Sequence, residues 1–250
     1  MATFFAWDYH GAPFKLFGPA HIAGLLVLFV LNLALIRCKN ASDQNRSIFR
    51  WTLALVLWAN EITWHVWKII HSAWTIQTML PLQICSLMVW ITGVMLVTRS
   101  YSIYEFAYFL GIGGGLQALA TPDLGIYGFP HFRYFQTFLS HGLIITAPIY
   151  MTVVEGFNPT WKSMLGSVVW MNAYMLVIYF VNIAISSNYL MVNAKPDVPS
   201  LLDLLPAWPW YIPYMEAIGL LTFVLLYSPF LIIGRDDRVG KELHKPEEIE

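Results

Sequence analysis

Charged side chains are scarce in this sequence of 250 residues: aspartate, glutamate, lysine and arginine together make up 12% of it. A soluble domain carries roughly 25% of these residues. Hydrophobic residues account for 58% of the chain, which is more apolar side chain than a soluble core of this length buries. The formal net charge is −1, so the composition gives no sign of nucleic-acid binding. We therefore predict an integral membrane protein.

Cysteine is also rare, since Cys38 and Cys85 are the only two in the chain. Two cysteines are too few for a disulfide framework. The first residues lack a basic region followed by an apolar core, so we expect no cleavable signal peptide. The glycines at 111 and 113–115 lack the preceding strand and following lysine of a phosphate loop. Close helix packing through Gly111 and Gly115 is the favoured interpretation, and no cofactor is predicted.

Long apolar stretches are abundant, and about 20 such residues cross a bilayer as a helix. Seven stretches qualify: 16–36, 50–72, 81–98, 104–121, 132–154, 164–186 and 212–233. The predicted fold class is all-α, a polytopic bundle of about seven transmembrane helices. It occupies residues 1–234, and residues 235–250 form a charged tail.

The distribution of lysine and arginine predicts the orientation of this bundle. Cytoplasmic loops carry an excess of these residues. With the N-terminus outside, the inner side holds Arg37, Lys39, Arg46, Arg50, Arg99, Lys162, Arg235, Arg238, Lys241 and Lys245. We therefore expect a multi-pass protein of the cell membrane whose C-terminus and tail are cytoplasmic.

Polar residues gather on one face of the second span. At about 100° per residue, they occupy an arc of about 140°. The members of this arc are Asn60, Glu61, Trp64, His65, Lys68 and His71. Lipid accepts such a face only at high cost, so it is expected to point into the bundle.

The polar residues are also concentrated at one predicted depth in the bilayer. The predicted outer halves of five spans hold Asn60, Glu61, His65, Lys68, Gln83, Cys85, Gln117, Gln136, Ser140, His141 and Asn182. The inner halves are almost purely apolar. This slab predicts a cavity that opens toward the outer leaflet, lined by these residues.

A thiol beside an imidazole is the minimum equipment for covalent acyl transfer, because the imidazole removes the thiol proton and the thiolate attacks. Cys85 and His141 lie at similar predicted depths. An amide such as that of Gln83 or Asn182 suits an acyl oxyanion as hydrogen-bond donor.

Three segments resemble the YwaF-like bacterial integral membrane proteins: NEITWHVWK (60–68), LPLQICSL (80–87) and RYFQTFLSHG (133–142). That family is similar to a vertebrate TMEM-type acyltransferase that makes ether phospholipids. The resemblance covers nearly the whole chain. It implies that Cys85 and His141 are the catalytic pair, with an acyl-enzyme thioester as intermediate. It also implies a phospholipid or lysophospholipid substrate and a role in lipid metabolism.

Two other interpretations of the polar residues stay open. The face of Glu61, His65 and Lys68 suits a one-sided binding protein or a transporter, although alternating access requires polar groups in the inner halves too. A zinc-dependent lipid hydrolase would instead use His65, His71 and His141 as ligands. The sequence does not indicate an oligomeric state.

Overall fold

The computed structural model of the protein describes residues 3–196 and 201–233. These residues form helices and connecting loops, with no β-strand among them. The α-helices are α1 (Pro19–Ala34), α2 (Asp43–Ile70), α3 (Ile84–Thr98), α4 (Tyr101–Phe106), α5 (Ile112–Ala120), α6 (Phe132–Val153), α7 (Trp161–Ile185) and α8 (Tyr211–Ile233). The predicted all-α fold is confirmed for this part of the chain, and the predicted tail 235–250 lies outside it.

A π-helical turn over Ala107–Gly111 joins α4 to α5, so the two form one continuous helix. Counted in this way, the described residues contain seven long helical segments. All five residues of the π-turn are buried. Such turns inside α-helices are frequent at functional sites, and this one leads directly into the glycines of α5.

Two helices begin elsewhere than the apolar stretches predict. α2 starts at Asp43 rather than at residue 50, because the Ser42 hydroxyl accepts a hydrogen bond of 3.3 Å from the backbone N–H of Asn45 and so caps the helix. α3 starts at Ile84 rather than at Pro81, with Gln83 as its N-cap residue. Apolar content marks the buried or lipid-facing part of a helix, whereas the caps set its ends.

Within the described part of the chain, three helices are long and apolar enough to cross a membrane: Pro19–Asn40, Trp161–Ile185 and Tyr211–Leu231. Little of their apolar surface is buried within the protein. Large exposed side chains such as Phe29, Phe180 and Leu225 cover them. These helices, which correspond to α1, α7 and α8, therefore form the lipid-facing side of the fold.

The centre of the bundle is formed by α6, which packs against α1, α2, α3 and α5. Its buried residues include polar ones, namely Gln136, Thr137 and Ser140. The apolar core around it contains Leu57, Met88, Phe109, Ile144 and Met151, all almost fully buried. Polar side chains are thus held on the interior helices rather than on the lipid-facing ones.

The glycines of α5 allow this helix to lie close against α6. A methyl group on Gly115 would lie 2.7 Å from Ile145 Cγ1 and 3.3 Å from the carbonyl oxygen of His141. A methyl group on Gly111 would lie 3.3 Å from Ile144 Cγ2. The predicted role of these two glycines in helix packing is therefore confirmed.

Charged residues meet at one end of the bundle, which we call the arginine end. The Glu155 carboxylate, just after α6, lies 2.5 Å from Arg50 Nη1 and 2.9 Å from Arg99 Nη2. Arg50 Nε also donates to the carbonyl oxygen of Leu96, at 3.1 Å. The Glu155 side chain is only 2% exposed, so a buried carboxylate joins the ends of α2, α3 and α6, with Arg99 as its half-exposed partner.

The opposite end, where α2 ends and α3 and α6 begin, is here called the site end. The N-terminal segment lies across it. Its successive carbonyl oxygens accept hydrogen bonds from Phe132 N (to Phe4), Trp67 Nε1 (to Phe5), His131 Nε2 (to Ala6) and the Tyr127 hydroxyl (to Trp7), each at 2.9 Å. The segment therefore covers the part of the bundle where the predicted site residues lie.

Candidate functional site

A cavity of about 400 Å³ lies between α2, α3, α5 and α6 at the site end, and we call it the polar cavity. Its lining includes six of the residues predicted for the site. These are Glu61, Gln83, Cys85, Gln136, Ser140 and His141. Six of the eleven predicted positions thus share one concave space, in which a thiol and an imidazole are both present.

Cys85 is the second residue of α3. No hydrogen bond is formed by the N–H groups of Ile84, Cys85 and Ser86 within the described residues. These free donors give the helix N-terminus a partial positive charge, which favours a thiolate at such a position. Burial in apolar surroundings opposes the thiolate, so a proton acceptor nearby is needed as well.

His141 can serve as that acceptor, because its tautomer is fixed by its own helix. Nδ1 lies 2.9 Å from the carbonyl oxygen of Thr137. A carbonyl oxygen only accepts, so Nδ1 carries the proton and Nε2 of the neutral ring has a free lone pair. No hydrogen bond links Cys85 to His141 in the described structure, as is common for catalytic contacts before substrate is bound.

Gln83 offers an amide donor beside the thiol. Its side-chain oxygen accepts a hydrogen bond of 3.1 Å from the backbone N–H of Leu190. This contact fixes the orientation of the amide and leaves Nε2 without a partner among the described residues. Gln83 also lines a second cavity, so it stands where the two spaces meet.

Asn182, the other amide predicted as an oxyanion donor, has a different position. Its Nδ2 donates to the carbonyl oxygen of Tyr189 at 2.9 Å, and its Oδ1 accepts from the Ser187 hydroxyl at 2.7 Å. It lines neither of the two cavities. Asn182 was predicted for the site, but the structure places it apart from both cavities, because the loop that follows α7 uses its polar atoms.

The second cavity has a volume of about 520 Å³ and a largely apolar lining from α5, α7 and α8, and we call it the apolar cavity. Ile84, Gly113 and Gly114 line it next to α3. A methyl group on Gly114 would lie 3.8 Å from Cys85 Sγ. The thiol is therefore separated from the apolar cavity only by a residue without a side chain. Gln117, predicted for the polar slab, lines this cavity instead of the polar one.

Part of the predicted polar face of α2 is occupied by contacts within the protein. His65 Nδ1 accepts a hydrogen bond of 2.9 Å from Trp74 Nε1, and its Nε2 lies 3.5 Å from Glu61 Oε1. Asn60 donates to the carbonyl oxygen of Gln136 at 3.1 Å. Asn60 and His65 therefore line neither cavity, contrary to prediction, and they support the helices around the polar cavity.

Lys68 likewise lies outside both cavity linings. Its ammonium group is 4.8 Å from the ring centroid of Trp64 and 5.1 Å from that of Trp7. Such cation–π contacts hold the charge at the aromatic surface. Of the three residues on which the binding or transport interpretation rests, only Glu61 reaches the polar cavity.

The three histidines of the zinc interpretation are not brought together. His65 contacts Trp74, His71 stacks on Trp7 with ring centroids 5.2 Å apart, and His141 lines the polar cavity. Among residues 3–196 and 201–233, no three histidine, cysteine or acidic side chains are placed to share a metal ion. The described residues therefore do not bring these three histidines into one ligand set.

Arg133 is a cavity residue that was not among the predicted site residues, although it opens the segment 133–142. The residue lines the polar cavity, and its guanidinium carbon lies 3.7 Å from the ring centroid of Trp64. Nη1 donates to the side-chain oxygen of Gln136. The available signal was its spacing, since a lone arginine precedes Gln136 and His141 on one helix.

His131 caps the start of α6 outside the apolar stretches. Its Nδ1 accepts from the backbone N–H of Arg133 at 3.1 Å, while Nε2 donates to the carbonyl oxygen of Ala6 at 2.9 Å. Burial lowers the pKa of His131, the nearby Arg133 lowers it further, and the bond to Ala6 opposes the change. The neutral ring suits this position, since one nitrogen must accept and the other donate.

Comparison with known proteins supports one assignment. The family model of the TMEM164 family matches residues 16–227, which include all three segments of the sequence resemblance. Neither the curated proteins nor the solved structures contain a significant match to the chain. The matched residues include the lipid-facing helices, which are long and apolar enough to cross a bilayer, and the interior helices as well. The chain is therefore a membrane protein that belongs to the TMEM164 family.

Proposed function

We propose that the protein is a membrane-embedded acyltransferase that moves phospholipid acyl chains through a thioester on Cys85. The observation that carries this proposal is the shared cavity of Cys85 and His141, with the free Nε2 of His141 set by the bond from Nδ1 to Thr137. The apolar cavity on the other side of Gly114 supplies space for a hydrocarbon chain.

In the first half-reaction, His141 Nε2 takes the proton of the Cys85 thiol. The thiolate attacks the ester carbonyl carbon of a phospholipid, and the carbonyl electrons move to its oxygen. The amide of Gln83 and the free N–H groups at the start of α3 are the donors for this oxyanion. When the C–O ester bond breaks, the leaving alcohol of the lysophospholipid takes the proton from His141, and the acyl group stays on Sγ.

The second half-reaction reverses these roles. The hydroxyl of a second lysophospholipid gives its proton to His141 Nε2 and attacks the thioester carbonyl. The C–S bond then breaks, an ester forms, and the thiolate of Cys85 regains the proton from His141. Atoms and charge balance with a phospholipid as donor and a lysophospholipid as acceptor, so the reaction needs no cofactor.

We further propose that all seven helical segments cross the cell membrane, with the N-terminus outside. The arginine end carries Arg37, Lys39, Arg46, Arg50, Arg99 and Lys162. An excess of cationic residues is typical of the cytoplasmic side. The site end then faces outward, and the polar cavity opens toward the outer leaflet.

The direct test is the intact mass of the purified full-length protein after incubation with a phospholipid of defined chains. We expect a gain of one acyl group that neutral hydroxylamine removes, as it does for thioesters. Cys85→Ser should lack the adduct. Cys38→Ser is the matched control, because Cys38 lies at the opposite end of α1 from the cavity, and it should retain the adduct.

A transfer assay with a labelled lysophospholipid in vesicles completes the test. Cys85→Ser and His141→Ala should each abolish transfer, and the double variant should be no worse than either, because the two groups act as a unit. Wild-type transfer rates in folded Cys85→Ser protein would refute the proposal.

A further inference from the structure

Among the described residues, no carboxylate lies within 4.0 Å of the Arg133 guanidinium, whereas Arg50 and Arg99 both pair with Glu155. An arginine has five N–H donors, and the side-chain bond that Arg133 forms in the described structure is the one from Nη1 to Gln136. Most of its donors are therefore available to a molecule in the polar cavity that it lines.

Two features hold this guanidinium in place. Its central carbon lies 3.7 Å from the centroid of the Trp64 ring, and Nη1 donates to the side-chain oxygen of Gln136. Lys68 contacts the same tryptophan at 4.8 Å and adds a second positive charge to this side of the cavity. A guanidinium fixed in this way presents a planar fork of donors, which matches the oxygen atoms of a phosphate group.

The position of Arg133 relative to the thiol also fits one substrate class. Arg133 precedes His141 by two turns of α6, which is about 12 Å of helix rise, and it lies closer to the site end. The arginine side chain and the glycerol part of a phospholipid together span this separation. The ester carbonyl then lies at Cys85 and the chain extends into the apolar cavity.

We propose that Arg133 binds the phosphate group of the lipid substrate and positions its ester or hydroxyl group at Cys85. This inference rests on the proposed function and adds a substrate-positioning residue to it. Asp123 and Glu61 line the same cavity but leave the guanidinium unpaired. The phosphate is the group that completes its hydrogen bonding.

The test uses the full-length chain in a Cys85→Ser background, so that binding is measured without turnover. Lysophosphatidylcholine and a monoacylglycerol with the same chain compete at equal concentration in neutral detergent, and native mass spectrometry gives the ratio of the bound lipids. We expect the phosphate-bearing lipid to be favoured by about tenfold or more, as for a charge-assisted contact. Arg133→Gln should reduce the ratio to about one.

Controls separate this effect from general changes in charge or fold. Lys15→Gln removes one charge from an exposed residue near the site end and should keep the preference. Arg133→Lys retains the charge without the fork, so it should fold and yet lose several-fold in preference. In the active enzyme, Arg133→Gln should raise KM for lysophospholipid more than it lowers kcat.

The outcomes distinguish the two proposals. An undiminished phosphate preference in both Arg133 variants would overturn the assignment of Arg133, even if acyl transfer is intact. Displacement of the lysolipid by inorganic phosphate at equal concentration would overturn the lipid as source of the phosphate. An Arg133-dependent preference without acyl transfer by the wild type would support the phosphate site and refute the acyltransferase.

Discussion

Gly114 faces Cys85 so closely that a methyl group on it would lie 3.8 Å from the sulfur, in ordinary contact. The same methyl group would lie 3.9 Å from Ile84 Cγ2, and these are its contacts within 4 Å beyond its own stretch of helix. Gly114 also lines the apolar cavity, so the lack of a side chain there leaves space beside the thiol. In the proposed acyl-enzyme, this space is the passage through which the chain would enter that cavity.

Filling the passage should therefore stop the transfer of long chains. Gly114→Ala fits without strain and should keep most of the activity, whereas Gly114→Leu should reduce transfer by about tenfold or more, because its side chain occupies the path. The transfer assay with one long and one short chain measures this. Gly166→Leu is the control, since nothing lies within 4 Å of that position. Unchanged long-chain transfer in Gly114→Leu would contradict the proposed path.

The cluster at the arginine end should dominate stability. Glu155→Ala should lower the free energy of unfolding by about 3–5 kcal/mol, because it leaves the buried Arg50 without its partner. Arg99→Ala removes the half-exposed partner of the same carboxylate and should cost about 1 kcal/mol or less. Thermal or denaturant unfolding in detergent compares the two variants. Equal losses would show that burial does not set the strength of these pairs.

His131 should make stability depend on pH. Its pKa in the folded protein is lowered by burial, so the unfolded chain takes up the proton first as the pH falls. Its contribution to stability is therefore complete above about pH 6.5 and is lost below it. His131→Gln keeps a donor and an acceptor and should flatten the melting temperature between about pH 7 and pH 5. His10→Gln, at an exposed position, should leave the wild-type pH profile unchanged.

The orientation can be tested with fused reporters. A reporter placed after residue 42 should be cytoplasmic, because it follows α1 and precedes α2 at the arginine end. One inserted near Asp197, between α7 and α8 in the sequence, should be external. Detection of both reporters on one side would refute seven crossings with this orientation.

The sequence predicted the helices, and it predicted that several polar residues lie near the same end of the bundle, because both depend on local patterns. Apolar runs identified the segments that become α1 to α8, and the outer-half polar slab contains Glu61, Gln83, Cys85 and His141, which do line the polar cavity. Depth along a helix follows from residue number alone. These features need no knowledge of which helices are neighbours.

The sequence could not predict which side chains contact one another in the folded bundle. Trp74, in the loop after α2, donates a hydrogen bond to His65. Trp7 and Trp64 form cation–π contacts with Lys68. The loop after α7 forms a hydrogen bond with Asn182. Arg133 was not predicted for the site, yet its guanidinium contacts Trp64 on another helix and lines the polar cavity. The contacts of Lys68 with Trp7 and of Arg133 with Trp64 join distant parts of the chain. Those of His65 and Asn182 depend instead on how the loops after α2 and α7 fold back.

The N-terminal segment has a consequence for the order in which the molecule is built. Its carbonyl oxygens bond to partners that lie 62, 120 and 125 residues further along the chain. Trp67 lies near the end of α2, whereas Tyr127 and His131 come just before α6. The segment can therefore take its final place only after the chain has been made as far as His131. Covering the site end is thus a late step in building the molecule.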